Sequence, residues 1–175
     1  RTSIGLPSSN NAIPPIRWSQ SGKYLAYMAT NRSSTLYIYD YDNKEIKKSF
    51  QDLSSYSDFQ WANDSTIFYI KNPKRPVLKK ANLYTREIKE FSLVDIEVVA
   101  HDFSIKQKKI LFIGRTSSDE YFQCYELNMD EELIKKMTFG DFNVSSCNYS
   151  KYNTSFYFGQ NENGVNTIYC SDALI

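Results

Sequence analysis

The residues of this chain that could do chemistry are few and scattered. His101 is the only histidine in 175 residues, so a metal site built on several imidazoles is excluded, and any nucleophile–histidine–acid arrangement has to use this residue. Its neighbours Asp102 and Ser104 supply the other two residue types. Adjacent positions of a strand point to opposite faces, however, and His101 reads as a structural residue of an inner strand. The sequence contains no Gly-x-Ser-x-Gly elbow, His-Glu-x-x-His pair, Walker loop or Gly-x-Gly-x-x-Gly turn. It therefore assigns no catalytic residue, no cofactor-binding residue and no metal ligand, and the chain reads as a non-enzyme working without a cofactor.

Cys124, Cys147 and Cys170 lack the Cys-x-x-Cys spacing of a thiolate metal or redox site. Cys124 and Cys170 occupy the same place in successive repeats and are expected to be small buried core residues. The strongest local charge bias runs from Lys71 to Lys89, where Lys71, Lys74, Arg75, Lys79, Lys80, Arg86 and Lys89 face one acid, Glu87. Around the loop "NPKRP", residues 72 to 76, the basic residues Lys71, Lys74, Arg75, Lys79 and Lys80 form a candidate partner-binding loop, since exposed loops often carry binding. Lysines of this kind also keep a solvated strand edge from aggregating.

Composition narrows the function classes. Twenty-one basic and 20 acidic side chains leave a formal charge of +1, so no global field argues for nucleic acid or a membrane surface. Fourteen Tyr and 11 Phe against 6 Gly and 5 Pro tilt the chain toward strands, because aromatic side chains suit a packed, pleated surface. No apolar run approaches the roughly 20 residues of a membrane-spanning helix. The opening "RTSIGLPSSNNAIPP" lacks the apolar core of a secretory signal.

The elements that position these residues come from an internal repeat. "IRWSQSGKYLAYMATN" recurs in outline as "DFQWANDSTIFYIK", "AHDFSIKQKKILFIG" and "SCNYSKYNTSFYFG". The aromatic anchors Trp18, Trp61, Phe103 and Tyr149 lie 43, 42 and 46 residues apart, each followed by Ser or Ala. A third element ("STLYIYDYD", "PVLKKANLY", "EYFQCYELN", "VNTIYCSDA") recurs in every unit, and a fourth ("NKEIKKSF", "TREIKEF", "EELIKKMTF") in the first three. Four short strands in a period of 40 to 45 residues are the signature of a β-propeller blade.

The predicted fold is therefore all-β: a β-propeller or partial propeller of about four blades, each a four-stranded antiparallel sheet, within a single repeat domain spanning residues 1–175. Blade boundaries fall near 12–50, 56–91, 97–139 and 142–175, the last incomplete. Inner strands are expected near 12–18, 56–61, 97–103 and 142–149, second strands near 23–29, 65–71, 108–114 and 154–159. Third strands are expected near 35–41, 77–83, 120–127 and 166–171, outer strands near 45–50, 86–91 and 132–139. "DEELIKK" from Asp130 also has the acidic start of a short helix, but its alignment with the other outer elements makes it a strand. The second strands "YLAYMA", "STIFYIK", "KILFIG" and "SFYFGQ" are apolar on consecutive residues, which predicts burial on both faces in all four blades.

The first unit, with Trp18, Ser19, Gly22, Lys23, Asn31, Arg32, Tyr37 and Asp40 in place, resembles the blade motif of TolB-like and dipeptidyl-peptidase-like β-propellers. Gln20 and Ser21 replace its usual Pro-Asp, and the later units keep less of it. Repeat architecture without a catalytic constellation reads as a non-catalytic protein-protein interaction module, and the TolB-like resemblance implies a periplasmic or other extracytoplasmic space for it. Its alternative is the substrate-gating propeller part of a prolyl-oligopeptidase-like serine hydrolase whose catalytic domain lies outside these residues. The expected partner is a protein, and an uncovered strand edge makes a homo-oligomer or larger assembly a further expectation.

Overall fold

The computed structural model describes residues 16–31, 33–53, 59–71, 76–93, 95–106, 108–151, 155–162 and 165–171. Two compact units contain them, Arg1–Asn72 with Lys79–Lys89 and Pro73–Leu78 with Glu90–Ile175.

The first sheet runs β1 (Ile16–Trp18), β2 (Tyr24–Asn31), β3 (Ser33–Asp40), β4 (Glu45–Leu53), and the second β5 (Phe59–Asn63), β6 (Thr66–Lys71), β7 (Val77–Asn82), β8 (Ile88–Ser92). Each is four-stranded with its strands in chain order, and the unit boundary passes through β7 and β8. The third sheet holds β9 (Ile96–Lys106), β10 (Lys109–Thr116), β11 (Gln123–Asn128) and β12 (Leu133–Lys136). In the fourth, β13 (Asn143–Tyr149), β14 (Phe156–Glu162) and β15 (Val165–Ser171) form a three-stranded meander. The repeat order and the missing outer strand of the fourth unit, among the described residues, match the sequence pattern. Residues 12–15 and 56–58 of the expected inner strands lie outside the described residues. "DEELIKK" gives the strand β12, preceded by a turn over Asp130–Glu132. β9 continues past the expected end near residue 103, through Ser104 and Ile105 to Lys106, because Ser104 pairs with Leu111 and Ile105 with Ile110.

Pairing fixes which residues share a face. Across the first sheet Trp18, Leu25, Tyr39 and Ile46 form one row and Ile16, Tyr27, Tyr37 and Ser49 another. The opposite face carries Ala26 with Ile38, and Met28 with Leu36 and Phe50. That second face packs on Phe59, Ile67, Tyr69, Ala81 and Leu83 of the second sheet, with Trp61 at the margin. In the other unit Leu111, Ile113 and Cys124 of the third sheet pack on Val144, Cys147 and Phe156 of the fourth. Each such large apolar side chain taken out of water contributes roughly 1.5–3 kcal/mol.

The expectation of burial on both faces holds for β6 and β10, whose cores are buried residue after residue. It fails for β2 and β14. In β2 Tyr24, Ala26 and Met28 are buried while the alternate residues Leu25 and Tyr27 are half-buried, and in β14 Tyr157 is exposed beside buried Phe156. Within its own unit, each of the first and fourth sheets packs on another described sheet by one face, and alternate residues of its other face stay partly or fully exposed.

The same asymmetry corrects the reading of the cysteines. Cys124 and Cys147 are buried and Cys170 is exposed, and none of the three is in a disulfide. Cys124 pairs with Ile113 and Cys170 with Tyr157, equivalent places in their sheets. Cys124 is covered by the fourth sheet, whereas Cys170 shares its face of that sheet with exposed Tyr157 and Ile168.

Candidate partner-binding site

The Ser-Gly turn between β1 and β2 sets the site. Gly22 adopts a left-handed φ of 77°, open to glycine without steric penalty, and its N–H donates to the Ser19 carbonyl at 3.0 Å. The Ser19 hydroxyl accepts from the Tyr24 N–H at 3.1 Å, and the Ser21 N–H donates to the Asp64 carboxylate at 2.8 Å. The Ser21 backbone donor, assisted by the Ser19 hydroxyl, holds the Asp64 carboxyl below its ordinary pKa.

Next to this turn, β1 and β5 bring Arg17, Trp18, Gln20, Gln60, Trp61 and Ala62 around an open depression of about 390 Å³. The Trp61 indole N–H donates to the Arg17 carbonyl at 3.0 Å, and its ring stacks on Tyr24 at 6.3 Å and 20°. Trp18 is 51% exposed and meets Tyr41 edge-on at 5.6 Å. The depression offers one guanidinium, two amides and two indoles, which suits a peptide segment with polar groups and flat apolar surface. Trp18 and Trp61 were legible as repeat anchors. Arg17, Gln20 and Gln60 were not read as site residues, because only strand pairing brings them together.

A hydroxyl–lysine cluster lies in the same unit. The Tyr24 and Tyr84 hydroxyls are 2.9 Å apart, and the Lys47 ammonium donates to Tyr24 Oη at 3.2 Å while lying over both rings. Burial pushes the Tyr24 phenol up, but the Tyr84 and Lys47 hydrogen bonds and the lysine charges outweigh it and lower its pKa.

In the other unit Asp119 is enclosed by donors. Lys136 Nζ reaches its Oδ1 at 2.7 Å. Its Oδ2 accepts from Tyr125 Oη at 2.6 Å, from the Thr116 N–H at 3.0 Å and from Thr116 Oγ1 at 2.9 Å. The Lys136 ammonium, then the Tyr125 hydroxyl, hold this carboxyl well below the usual carboxylate range. Burial, reinforced by Asp119, pushes the Tyr125 phenol up. A neighbouring cleft of about 430 Å³ includes Asp95, Glu97 and Arg115, but Arg115 Nε is already paired with Glu97 at 2.8 Å and its guanidinium sits 4.5 Å from the Phe122 ring centre. Arg115 and Glu97 thus neutralise each other.

The candidate basic loop is spread out. Lys71 ends β6 half-buried; Lys79 is half-buried and Lys80 exposed on β7, where neighbours in sequence point to opposite faces. Lys74 and Arg75 lie outside the described residues, as does the side chain of His101, whose backbone belongs to β9. Among the described residues no group of three or more His, Cys, Asp or Glu could hold a metal ion, and no helix is long and apolar enough to cross a membrane.

Comparison with known proteins bears on the fold. The β-propeller domain of the Trilobed protease from Pyrococcus furiosus matches with a TM-score of 0.71 and 16% identity, over 91% of this chain and 52% of that one. The four sheets are β-propeller blades. Acylaminoacyl peptidase from Pyrococcus horikoshii matches at 0.69 and 16% identity, over 91% of this chain and 30% of its own. TolB from Acinetobacter baumannii matches at 0.63 and 18%, over 91% and 41%. These identities speak for the shared fold alone, and the chain spans about half of the first structure and less of the other two. No protein-family model matches the sequence, and no curated protein does.

Proposed function

We propose that these blades form a non-catalytic protein-protein interaction module whose partner seats on the depression between the first two blades. The observation carrying this reading is the convergence of Arg17, Trp18, Gln20, Gln60 and Trp61 around one open site of about 390 Å³. Trp and Arg are the residue types that dominate binding energy at protein interfaces, and the amides orient a bound backbone. The basic residues Lys71, Lys74, Arg75, Lys79 and Lys80 act in this reading on encounter, since peripheral charge changes association rate and salt dependence more than final affinity. The test is quantitative affinity capture from the source cell, comparing the natural chain with a Trp18→Ala, Gln60→Ala variant of equal thermal stability. A protein retained by the first and lost by the second is expected. Identical capture profiles end the reading.

A second reading is the substrate-gating propeller part of a prolyl-oligopeptidase-like serine hydrolase. It is favoured by the likeness to the Trilobed protease propeller and to acylaminoacyl peptidase. The full reading frame tests it: a Gly-x-Ser-x-Gly followed by Asp and His is expected, and a frame without them removes it.

A further inference from the structure

The depression between the first two blades offers more hydrogen-bond donors than acceptors. Among the described residues that line it, Arg17 is the only ionisable side chain and no carboxylate is present. A guanidinium carries five N–H donors in a fixed fork, serves more than one acceptor at a time and accepts nothing, while an indole N–H only donates. Trp61 gives its N–H to the Arg17 carbonyl at 3.0 Å, so it pins the Arg17 backbone and offers its ring rather than its donor. The side chains of Trp18, Gln20 and Gln60 make no hydrogen bond to other described residues, which leaves one indole N–H and two amides for a ligand. Asp64, the acid that follows β5, is engaged by the Ser21 N–H at 2.8 Å.

Charge around the depression has the same sign. Of the basic stretch in the second blade, Lys71, Lys79, Lys80, Arg86 and Lys89 belong to the same unit as the depression, against the single acid Glu87. Such an excess draws in an acidic partner and repels a basic one.

We propose, on the reading that this depression seats the partner, that the partner enters it with an acidic residue of an extended peptide. The aspartate or glutamate carboxylate pairs with the Arg17 guanidinium, neighbouring apolar side chains lie on the Trp18 and Trp61 rings, and the Gln20 and Gln60 amides bind the passing backbone. A carboxylate meets a guanidinium through two parallel hydrogen bonds, a geometry an ammonium cannot copy. Because the depression is open, the peptide runs through it, and the carboxylate comes from a side chain rather than a chain end.

Both tryptophans of the chain line the depression, so intrinsic fluorescence reads its occupancy. The probes are three pentapeptides blocked at both ends: Ala-Leu-Glu-Leu-Ala and its counterparts with Gln or Lys at the centre. The Glu peptide is expected to shift the emission at millimolar concentrations and to bind roughly tenfold or more tightly than the Gln peptide, the worth of a hydrogen bond to a charged group. The Lys peptide is expected to bind least, and added salt to narrow these differences. Arg17→Gln is expected to erase the preference for Glu over Gln, and Arg17→Lys to restore part of it. Gln60→Glu leaves Arg17 in place and is expected to weaken the Glu peptide while strengthening the Lys peptide, opposite changes that a misfolded chain cannot produce. Equal binding of the three peptides by the natural chain, or no response to the Glu peptide, overturns the acidic partner. So does a Gln60→Glu chain in which the two charged peptides change in the same direction or not at all. A protein captured through Trp18 and Gln60 would still stand in each of those cases, whereas identical capture profiles remove the seat itself, so the two readings fail separately.

Discussion

The two inner blades and the two end blades are written in nearly the same sequence pattern and buried to different extents. β6 and β10 are covered on both faces, whereas β2 and β14 carry consecutive apolar residues of which alternate ones remain partly or fully exposed. Consecutive apolar residues in a short strand therefore state what environment the strand is suited to. Whether a neighbour supplies that environment is a separate fact, decided by what packs beside the sheet.

The largest test of that difference compares equivalent residues. Phe112 is buried and stacks on Tyr125 at 5.8 Å. Phe112→Ala is expected to cost about 3–5 kcal/mol, the loss of transfer free energy plus a cavity. Leu25 holds the same register position in the first blade but is half-buried, so Leu25→Ala is expected to cost about 1 kcal/mol. Urea denaturation of both variants measures the gap, and equal losses would show that the Leu25 face of the first blade is covered in solution.

Two glycines beside bulges sharpen the contrast. A Cβ on Gly114, in an inner blade, would stand 2.6 Å from Ile96 Cγ2 and 2.9 Å from the Glu97 carbonyl oxygen. A backbone atom cannot swing away, and Gly114→Ala is expected to cost about 1–3 kcal/mol through overpacking. On Gly159, in the fourth blade, the same Cβ would meet the hydroxyls of Ser146 and Ser145 at 2.7 and 2.8 Å. Serine hydroxyls rotate, so Gly159→Ala is expected to cost less than half as much. Melting temperatures of the pair rank the two environments directly.

The repeat, its period and most strands were legible because anchors and strands recur as contiguous residues. Exposure of the end faces was not, since Tyr157 and Ile113 look alike in sequence and differ only in whether another sheet lies against them. The candidate site was half legible. Trp18 and Trp61 announced themselves as anchors, but Arg17, Gln20 and Gln60 are ordinary polar residues until β1 and β5 bring them to one place. The Asp119 cluster was invisible for a related reason: its donors come from three different strands, with no spacing rule to join Thr116, Tyr125 and Lys136.

That cluster predicts a pH response confined to an inner blade. The Asp119 carboxyl titrates well below the ordinary carboxylate range when folded, and near 4 when unfolded. Its ionised form thus favours folding at pH above about 4, and the contribution fades as acidification carries the folded chain through the lowered value. Asp119→Asn is expected to lose about 1–3 kcal/mol at neutral pH, from weakened charge-assisted hydrogen bonds, and to flatten the acid limb of the stability curve below pH 4. An unchanged acid limb in stability measured against pH would refute the assignment.

The smallest effect separates a repeated device from the accident of one blade. Asp40, Asn82 and Asn128 each end the third strand of a blade and accept backbone N–H groups from the turn that follows: Asp40 from Asp42 and Asn43, Asn82 from Tyr84 and Thr85, Asn128 from Asp130 and Glu131. Four residues beyond each stands a left-handed residue, Lys44 at φ 55°, Arg86 at 62° and Glu132 at 53°. A side-chain acceptor that mimics a backbone turn, followed by a left-handed residue, reverses the chain between third and outer strands. Removing the acceptor by Asp40→Ala is expected to cost about 1 kcal/mol. Relieving the backbone by Lys44→Gly, where a non-glycine pays for its left-handed φ, is expected to leave stability unchanged or raise it by a few tenths of a kcal/mol. Because the turn closes within its own blade and draws nothing from a neighbour, Asn128→Ala in an inner blade is expected to match Asp40→Ala in an end blade. Unfolding free energies from denaturation whose losses differ by more than about 1 kcal/mol between the two variants would mean that even the turns register which blades are covered.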